Sequence, residues 1–323
     1  MLAHGSVAGA MPSFTFGTGV QTAVDLLPPA TPLLCSELWG GWFDHWGEQH
    51  HVRSADSLMQ TIDDLLAADG SLSLYMAHGG TNFGLWNGAN WDGGIQPTIT
   101  SYDSDAPIAE DGRVGAKFEA LRAAFAPFHD GPLPALPAAP QFQPAQTARL
   151  EPEAALLEAV RALPASEPRP QPATFEELGV SDGIVAYETT AVVRVGDDVL
   201  SLPVLHDRAT VFVDGRRIGT LDRDGETSVA LPVSDRPVVI TLLVESVGRI
   251  NYGPLIGEHK GILAGVLLGR RFAHGWSHRI VPWSTRSRRE RSARTASRAQ
   301  NCTSRSPRTH GSRSRAAARG SSG

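Results

Sequence analysis

Five prolines fall within thirteen residues, Pro132, Pro134, Pro137, Pro140 and Pro144, in a stretch otherwise dominated by alanine and glutamine. Each proline fixes φ near −65° and removes a backbone donor, so neither a helix nor a central strand runs through it. The stretch reads as an extended linker. It divides a chain of 323 residues, long enough for two folding units, into halves with different hydrophobic periods.

Before the linker the pattern is that of β/α units. Residues 14–17 read as a short strand and 20–27 as a short helix, ended by Pro28-Pro29. An apolar run from Leu33 ends on Glu37 and reads as a buried strand. Residues 54–69 read as a helix, with Ser54 as N-cap, Leu58, Ile62, Leu65 and Leu66 on one face, and Gly70 as the stop. Residues 71–77 read as the next strand. A long aromatic and glycine-rich loop (78–110) and a helix over 117–128, with Phe118, Leu121 and Phe125 on one face, complete two consecutive β/α units.

After the linker, residues 150–163 read as a short helix or as a segment pairing with the next domain. From Ile184 the period drops to two. Strands are expected at 192–195, 209–213, 238–244 and 266–268, with a hairpin turn at Asp214-Gly215. This half reads as an antiparallel β-sandwich.

Glu37 stands near the carboxyl end of its strand, followed by Trp39, Trp42, Phe43 and Trp46 among glycines. In a parallel β/α architecture that end faces the active site. Aromatic faces beside a carboxylate suit a sugar, whose C–H faces stack on rings while its hydroxyls take polar partners.

The segment Ser36-Glu37-Leu38-Trp39-Gly40-Gly41-Trp42-Phe43-Asp44-His45-Trp46-Gly47 resembles the nucleophile segment of glycoside hydrolase family 35, the β-galactosidases. Three later stretches agree in family order: residues 75–84, starting Tyr-Met-Ala-His-Gly-Gly, then Asn87-Gly88-Ala89-Asn90, then residues 100–107 around Tyr102-Asp103. The similarity is dense over 33–122 and thinner over 175–276.

The resemblance implies a fold of α/β plus all-β type. Residues 1–130 would be the last part of a (β/α)8 TIM barrel, with the Glu37 strand its seventh and the Tyr75 strand its eighth. Residues 131–180 would be the linker, and 181–284 a jelly-roll, galactose-binding-like β-sandwich. The chain then reads as truncated at its front, since a complete barrel takes roughly 250 residues. The implied activity is retaining hydrolysis of terminal β-galactosides, which needs no cofactor and no metal. Glu37 matches the nucleophile, and Trp39, Trp42, Tyr75 and Tyr102 match residues that line the sugar site, with Tyr75 contacting the nucleophile. Ser104 stands where the family has a second tyrosine. The family's acid/base glutamate lies in an Asn-Glu pair, which this sequence lacks, so turnover by this chain alone is not expected. The alternative is a non-catalytic carbohydrate-binding protein that uses the β-sandwich.

Trp46 and Phe83 are expected in ordinary core packing. His45, His50, His51 and His78 invite a metal reading, but adjacent His50 and His51 point apart on an extended loop, and a zinc site needs three or four convergent ligands. Cys35 and Cys302 make no disulfide framework. No stretch has the length and apolarity of a membrane span or a signal peptide, which points to a cytoplasmic setting with no membrane partner.

Residues 285–323 are almost all Arg, Ser, Ala, Thr and Gly. They carry 11 Arg against Glu290 alone, and so mask a body of 18 basic and 33 acidic residues with a formal charge of −15. Such a tail has little to bury and reads as disordered. The abruptness of the change favours an out-of-frame reading of the gene over a basic arm for nucleic acid.

Overall fold

A computed structural model describes residue 7 and residues 9–152 and 154–281. The basic tail and Cys302 lie outside the described residues. The first half begins with β1 (Phe14–Phe16), α1 (Val20–Leu26), β2 (Leu34–Trp39), α2 (Ala55–Ala67) and β3 (Ser71–Tyr75). The strands form one parallel sheet in the order β1-β2-β3. Phe14, Phe16, Cys35 and Leu38 from the sheet meet Leu58, Ile62 and Leu65 of α2 in a single core. Burial there raises the Cys35 thiol pKa.

α2 follows its sequence signals closely. The Ser54 side chain accepts from the Ser57 backbone N–H, and Leu58, Ile62 and Leu65 are fully buried. Its end differs in one respect. Asp69, not Gly70, takes the left-handed conformation (φ 53°), while Gly70 N–H and Asp69 N–H return to Leu65 and Leu66 carbonyls. Gly70 is needed for space, since a Cβ there would lie 2.9 Å from both Leu65 O and Leu33 Cδ2.

The loop after β3 is built of small antiparallel pairs. β4 (Gly80–Thr81) pairs with β7 (Ser101–Tyr102), and β5 (Ala89–Trp91) with β6 (Ile95–Pro97). The helix expected over 117–128 runs as α3 (Ala116–Phe125) and then tightens into a single 3-10 turn through Phe128. The side chains it buries are Lys117 and Leu121, whereas Phe118 and Phe125 are half-buried. No helix among the described residues is long and apolar enough to cross a membrane.

The proline-rich segment carries no helix or strand, and α4 (Leu156–Arg161) comes after it. Val160 of α4 is buried against Ile184, Ala186 and Leu243. The second half contains β8 (Gly183–Ala191), β9 (Val199–Ser201), β10 (Leu205–His206), β11 (Arg208–Val213), β12 (Arg216–Asp222), β13 (Ser228–Ala230), β14 (Val238–Ser246), β15 (Gly261–Ile262), β16 (Leu267–Leu268), β17 (Arg271–Phe272) and β18 (Ser277–Ile280). A five-stranded antiparallel sheet, β12-β11-β14-β8-β18, and a four-stranded one, β13-β9-β16-β17, share a core around Trp276, Tyr187, Phe175 and Leu200. Asp214-Gly215 turns β11 into β12 with both residues at positive φ, as a two-residue hairpin of this kind requires.

Residues 192–195, expected as a strand, lie past the end of β8. Val193 is buried, and its carbonyl accepts from Ser234 N–H outside any ladder. Pairing with the core begins inside the stretch expected to be linker. Ser166 N–H donates to His278 O, Arg169 and Trp276 exchange two backbone bonds, and Phe175 is fully buried.

Candidate active site

The register slips between Cys35 and Leu38 on β2 where it pairs with β3. Cys35 and Leu38 both stay buried on the core side, although they are three residues apart. Strict alternation would place them on opposite faces, so the slip re-aims the residues between them. Glu37 and Trp39 emerge together, and Trp39 Nε1–H donates to Glu37 Oε1 at 2.9 Å.

The turn after β2 depends on Gly41. A Cβ at that position would fall 1.9 Å from Ser104 O. Ser104 is buried and left-handed (φ 57°), and the next residue, Asp105, is also left-handed (φ 48°). Lys117 secures both segments, donating from Nζ to Gly40 O (2.8 Å), Asp105 O (2.7 Å) and Asp105 Oδ2 (2.6 Å). Arg53 completes the clamp, its backbone N–H on Asp105 Oδ2 and its guanidinium on Trp39 O.

This clamp sets up an aromatic series. Trp39 meets Trp42 edge-on with centroids 5.3 Å apart, Trp42 stacks on Phe43 at 4.9 Å, and Phe43 stacks on Tyr102 at 5.0 Å. Tyr75, at the end of β3 and beside Trp39 in register, places its hydroxyl 3.3 Å from that of Tyr102. Burial, the Tyr75 hydroxyl and the charge of Glu37 all push the Tyr102 phenol pKa upward, so it stays protonated. A cavity of about 250 Å³ opens beside Trp39 and Trp42, bounded by Thr18, Gly41, Val52 and Arg53.

All five residues singled out from the sequence therefore gather at one end of the parallel sheet. Their hydrogen bonds differ from expectation. The Glu37 carboxylate takes its bond from Trp39, and Tyr75 pairs with Tyr102. Sequence reasoning does not single out Phe43, the ring that joins Trp42 to Tyr102, or Lys117, the cation that holds the turn. The aromatic spacing of residues 39–46 marks the region but not which ring stacks.

Three other expectations need correction. Trp46 and Phe83 are 79% and 80% exposed, not packed in a core, because both sit on loops outside the strands and helices that enclose the apolar cluster. His50 and His51 do not point apart. Their Nδ1 atoms approach the two oxygens of Asp44 at 2.6 and 2.8 Å, since the loop folds back on that carboxylate. These bonds, with one from His51 N–H, outweigh burial and lower the Asp44 pKa, and Asp44 in turn raises that of His50. Among the described residues no three His, Cys, Asp or Glu side chains are grouped to hold a metal ion.

Two other glutamates of this half carry partners. Both oxygens of Glu110 accept from hydroxyls, Thr81 and Ser101, and Glu48 accepts from the His45 ring and backbone.

Two family models match the chain. Glycosyl hydrolases family 35 covers residues 8–128, and the first all-β domain of β-galactosidase covers residues 172–282. The chain is 34% identical over 274 residues to β-galactosidase 17 of Arabidopsis thaliana, covering 79% of this chain and 39% of that protein. It is 36% identical over 290 residues to the β-galactosidase of Bos taurus (85% and 43%), and 35% identical over 294 residues to that of Homo sapiens (87% and 42%). The chain thus spans about two fifths of the length of these relatives. It belongs to the glycosyl hydrolases of family 35, of which it carries part of the catalytic domain followed by the first all-β domain.

Proposed function

We propose that this chain supplies the nucleophile side of a retaining glycosidase site acting on terminal β-galactosides. In this reading Glu37 attacks the anomeric carbon, the Trp39 indole N–H orients its carboxylate, and Trp42, Tyr75 and Tyr102 border the sugar. The observation that carries it is the 2.9 Å bond from Trp39 Nε1 to Glu37 at the carboxyl end of a parallel strand, beside a run of stacked rings. The three parallel strands are then read as part of a (β/α)8 barrel and the two antiparallel sheets as a jelly roll.

A retaining mechanism needs a second carboxyl group about 5–5.5 Å from the nucleophile to protonate the leaving oxygen. Glu48 and Glu110 are bound to other groups, so the proton donor is proposed to come from the portion of the catalytic domain that the relatives have and this chain does not match. General acid catalysis is typically worth about 10²- to 10⁴-fold, and the orienting contacts of that portion add more.

The test is an aryl β-galactoside assay on three proteins: the 323-residue chain, the chain joined to the upstream catalytic segment of a relative, and the joined protein carrying Glu37→Gln. Turnover is expected in the second alone. Robust turnover by the chain by itself, or by the Glu37→Gln protein, would count against the proposal.

A further inference from the structure

Three histidines follow Phe43 in the loop between β2 and α2, and their ring nitrogens meet different surroundings. His45 Nδ1 meets Glu48 and His51 Nδ1 meets Asp44, each at 2.8 Å. One carboxylate per ring is satisfied by a neutral imidazole with its proton on that nitrogen. His50 has a carboxylate at both nitrogens. Its Nδ1 lies 2.6 Å from Asp44 Oδ2, and its Nε2 lies 3.5 Å from Asp103 Oδ2. A carboxylate only accepts, and a neutral ring carries one N–H. A neutral His50 would therefore turn a lone pair toward one of the two acids. The imidazolium offers each of them a proton.

The two acids flank the aromatic series. Asp44 directly follows Phe43, and Asp103 directly follows Tyr102. Phe43 and Tyr102 are stacked, with ring planes 15° apart. Lys117 ties the same two segments at Gly40 and Asp105. His50 ties them at the residues next to the rings themselves.

The charged groups that face His50 are Asp44 on its own loop, with His51 sharing that carboxylate, and Asp103 and Asp105 after β7. Lys117 already pairs Asp105. The hydrogen bond to Asp44 is the largest influence and raises the His50 pKa above 6.5, against a smaller opposing effect of burial. The bridge is thus closed at pH 6.5 and opens as pH rises through the raised value. His50 is 48% exposed, so its ion pairs add little to global stability and the consequence is local.

We infer that His50 is a positioning residue that acts in its protonated form. The imidazolium pins Asp44 to Asp103 and so holds Phe43 against Tyr102, which makes the aromatic wall beside Glu37 looser in alkaline than in mildly acidic solution. The inference rests on the proposed function only in treating that wall as the border of the sugar site.

The test follows the full chain by NMR from about pH 5 to about pH 9, with ¹³C in its histidine and tyrosine rings. The chain has four tyrosines, and Tyr102→Phe identifies the Tyr102 signals. Burial keeps the Tyr102 phenol protonated over this range, so a shift of its ring reports its surroundings. The Tyr102 ring should shift with the same midpoint as the His50 ring. His50→Gln, which carries no charge, should show the alkaline Tyr102 spectrum at every pH. His50→Arg, whose guanidinium stays charged and presents donors to both acids, should show the acidic spectrum at every pH. Circular dichroism checks that both variants are folded. A Tyr102 signal that does not move with His50 would overturn the inference. So would one that still titrates in His50→Arg, which would assign the effect to His51. A second arm uses the chain joined to a relative's upstream catalytic segment. There KM for an aryl β-galactoside, relative to that of the His50→Arg protein, should rise by about threefold between about pH 6 and 8. A constant ratio would overturn the link to the sugar site. Absence of turnover in every joined protein would count against the hydrolytic reading alone, with the Tyr102 titration still deciding the role of His50.

Discussion

Trp39 donates its indole N–H to Glu37, two residues back along the same strand, at 2.9 Å. Side chains two apart on a strand share a face, so the strand itself supplies both the carboxylate and the group that fixes its rotamer. Neither residue needs a loop to bring it to the other.

Trp39→Phe keeps an aromatic ring but removes the donor. A hydrogen bond to an ionised group contributes about 1.5–3 kcal/mol. In a protein with a complete catalytic domain, kcat for an aryl galactoside should fall by roughly 10- to 100-fold, with KM changing far less. An unchanged kcat would mean that the indole only packs.

Gly41→Ala should disrupt the turn, because the new Cβ would overlap Ser104 O. One of the two segments must move, and Lys117 and Arg53 resist the movement. A stability loss of about 1–3 kcal/mol is expected, with a reduced near-ultraviolet circular dichroism signal as Phe43 and Tyr102 separate. Denaturant melts and spectra of the two proteins check both effects.

His278 is 2% exposed, and burial, with Arg169 nearby, lowers its pKa to about 4. Its Nε2 accepts from Ala173 N–H at 3.0 Å, so a proton there would set two donors against each other. The folded pKa lies below the unfolded value of 6.5. Between those values the unfolded state binds more protons, so stability is complete above pH 6.5 and declines as pH falls toward 4, by about 3 kcal/mol. Urea melts across this range should show that slope, and His278→Gln should flatten it. Glu258 acts in a lower window. Burial opposes its ionisation, but Arg223 and Lys260 hold it at about 2, so its contribution is lost only as pH falls from 4.5 through 2.

Lys260 is fully buried, with Asp207 Oδ1 at 2.9 Å and Glu258 Oε1 at 2.9 Å, and Arg223 bonds to both acids. Removing one member leaves a buried charge uncompensated. Asp207→Ala should cost about 3–5 kcal/mol in a denaturant melt. Arg223 lies 4.9 Å over the Trp91 ring, so the change should also loosen the β5–β6 hairpin, visible as faster amide exchange at residues 89–97.

Local signals account for much of what the sequence reveals. Ser54, Leu58, Ile62 and Leu65 mark α2 because capping and a 3.6-residue period are local properties. Asp214-Gly215 marks its hairpin for the same reason. The five candidate site residues are picked out by motif resemblance; Glu37, Trp39 and Tyr75 converge because parallel strands share one carboxyl end, whereas Trp42 is brought in by the turn after β2 and Tyr102 by the antiparallel β4–β7 pair. The features that stay hidden are set by distant partners. Lys117 has the sequence context of a surface residue on a helix, because its acceptors, Gly40 and Asp105, are remote in sequence. Val193 is as apolar as a strand residue, yet it bonds outside any ladder. Trp46 and Phe83 are aromatic enough for a core, but the loops that carry them place them at the surface. The slip at Ser36-Glu37 depends on the neighbouring strand, so no period within β2 announces it.

The central claim is that Glu37 forms the covalent bond to the sugar. Mass mapping tests it most directly, on the chain joined to a relative's upstream catalytic segment and treated with a 2-fluoro galactosyl fluoride. The fluoride leaves readily, and the 2-fluoro group slows breakdown of the glycosyl-enzyme. A single 2-fluorogalactosyl adduct is expected on the peptide containing Glu37, and none after Glu37→Gln. An adduct on any other carboxylate, or an undiminished adduct in the Glu37→Gln protein, would contradict it.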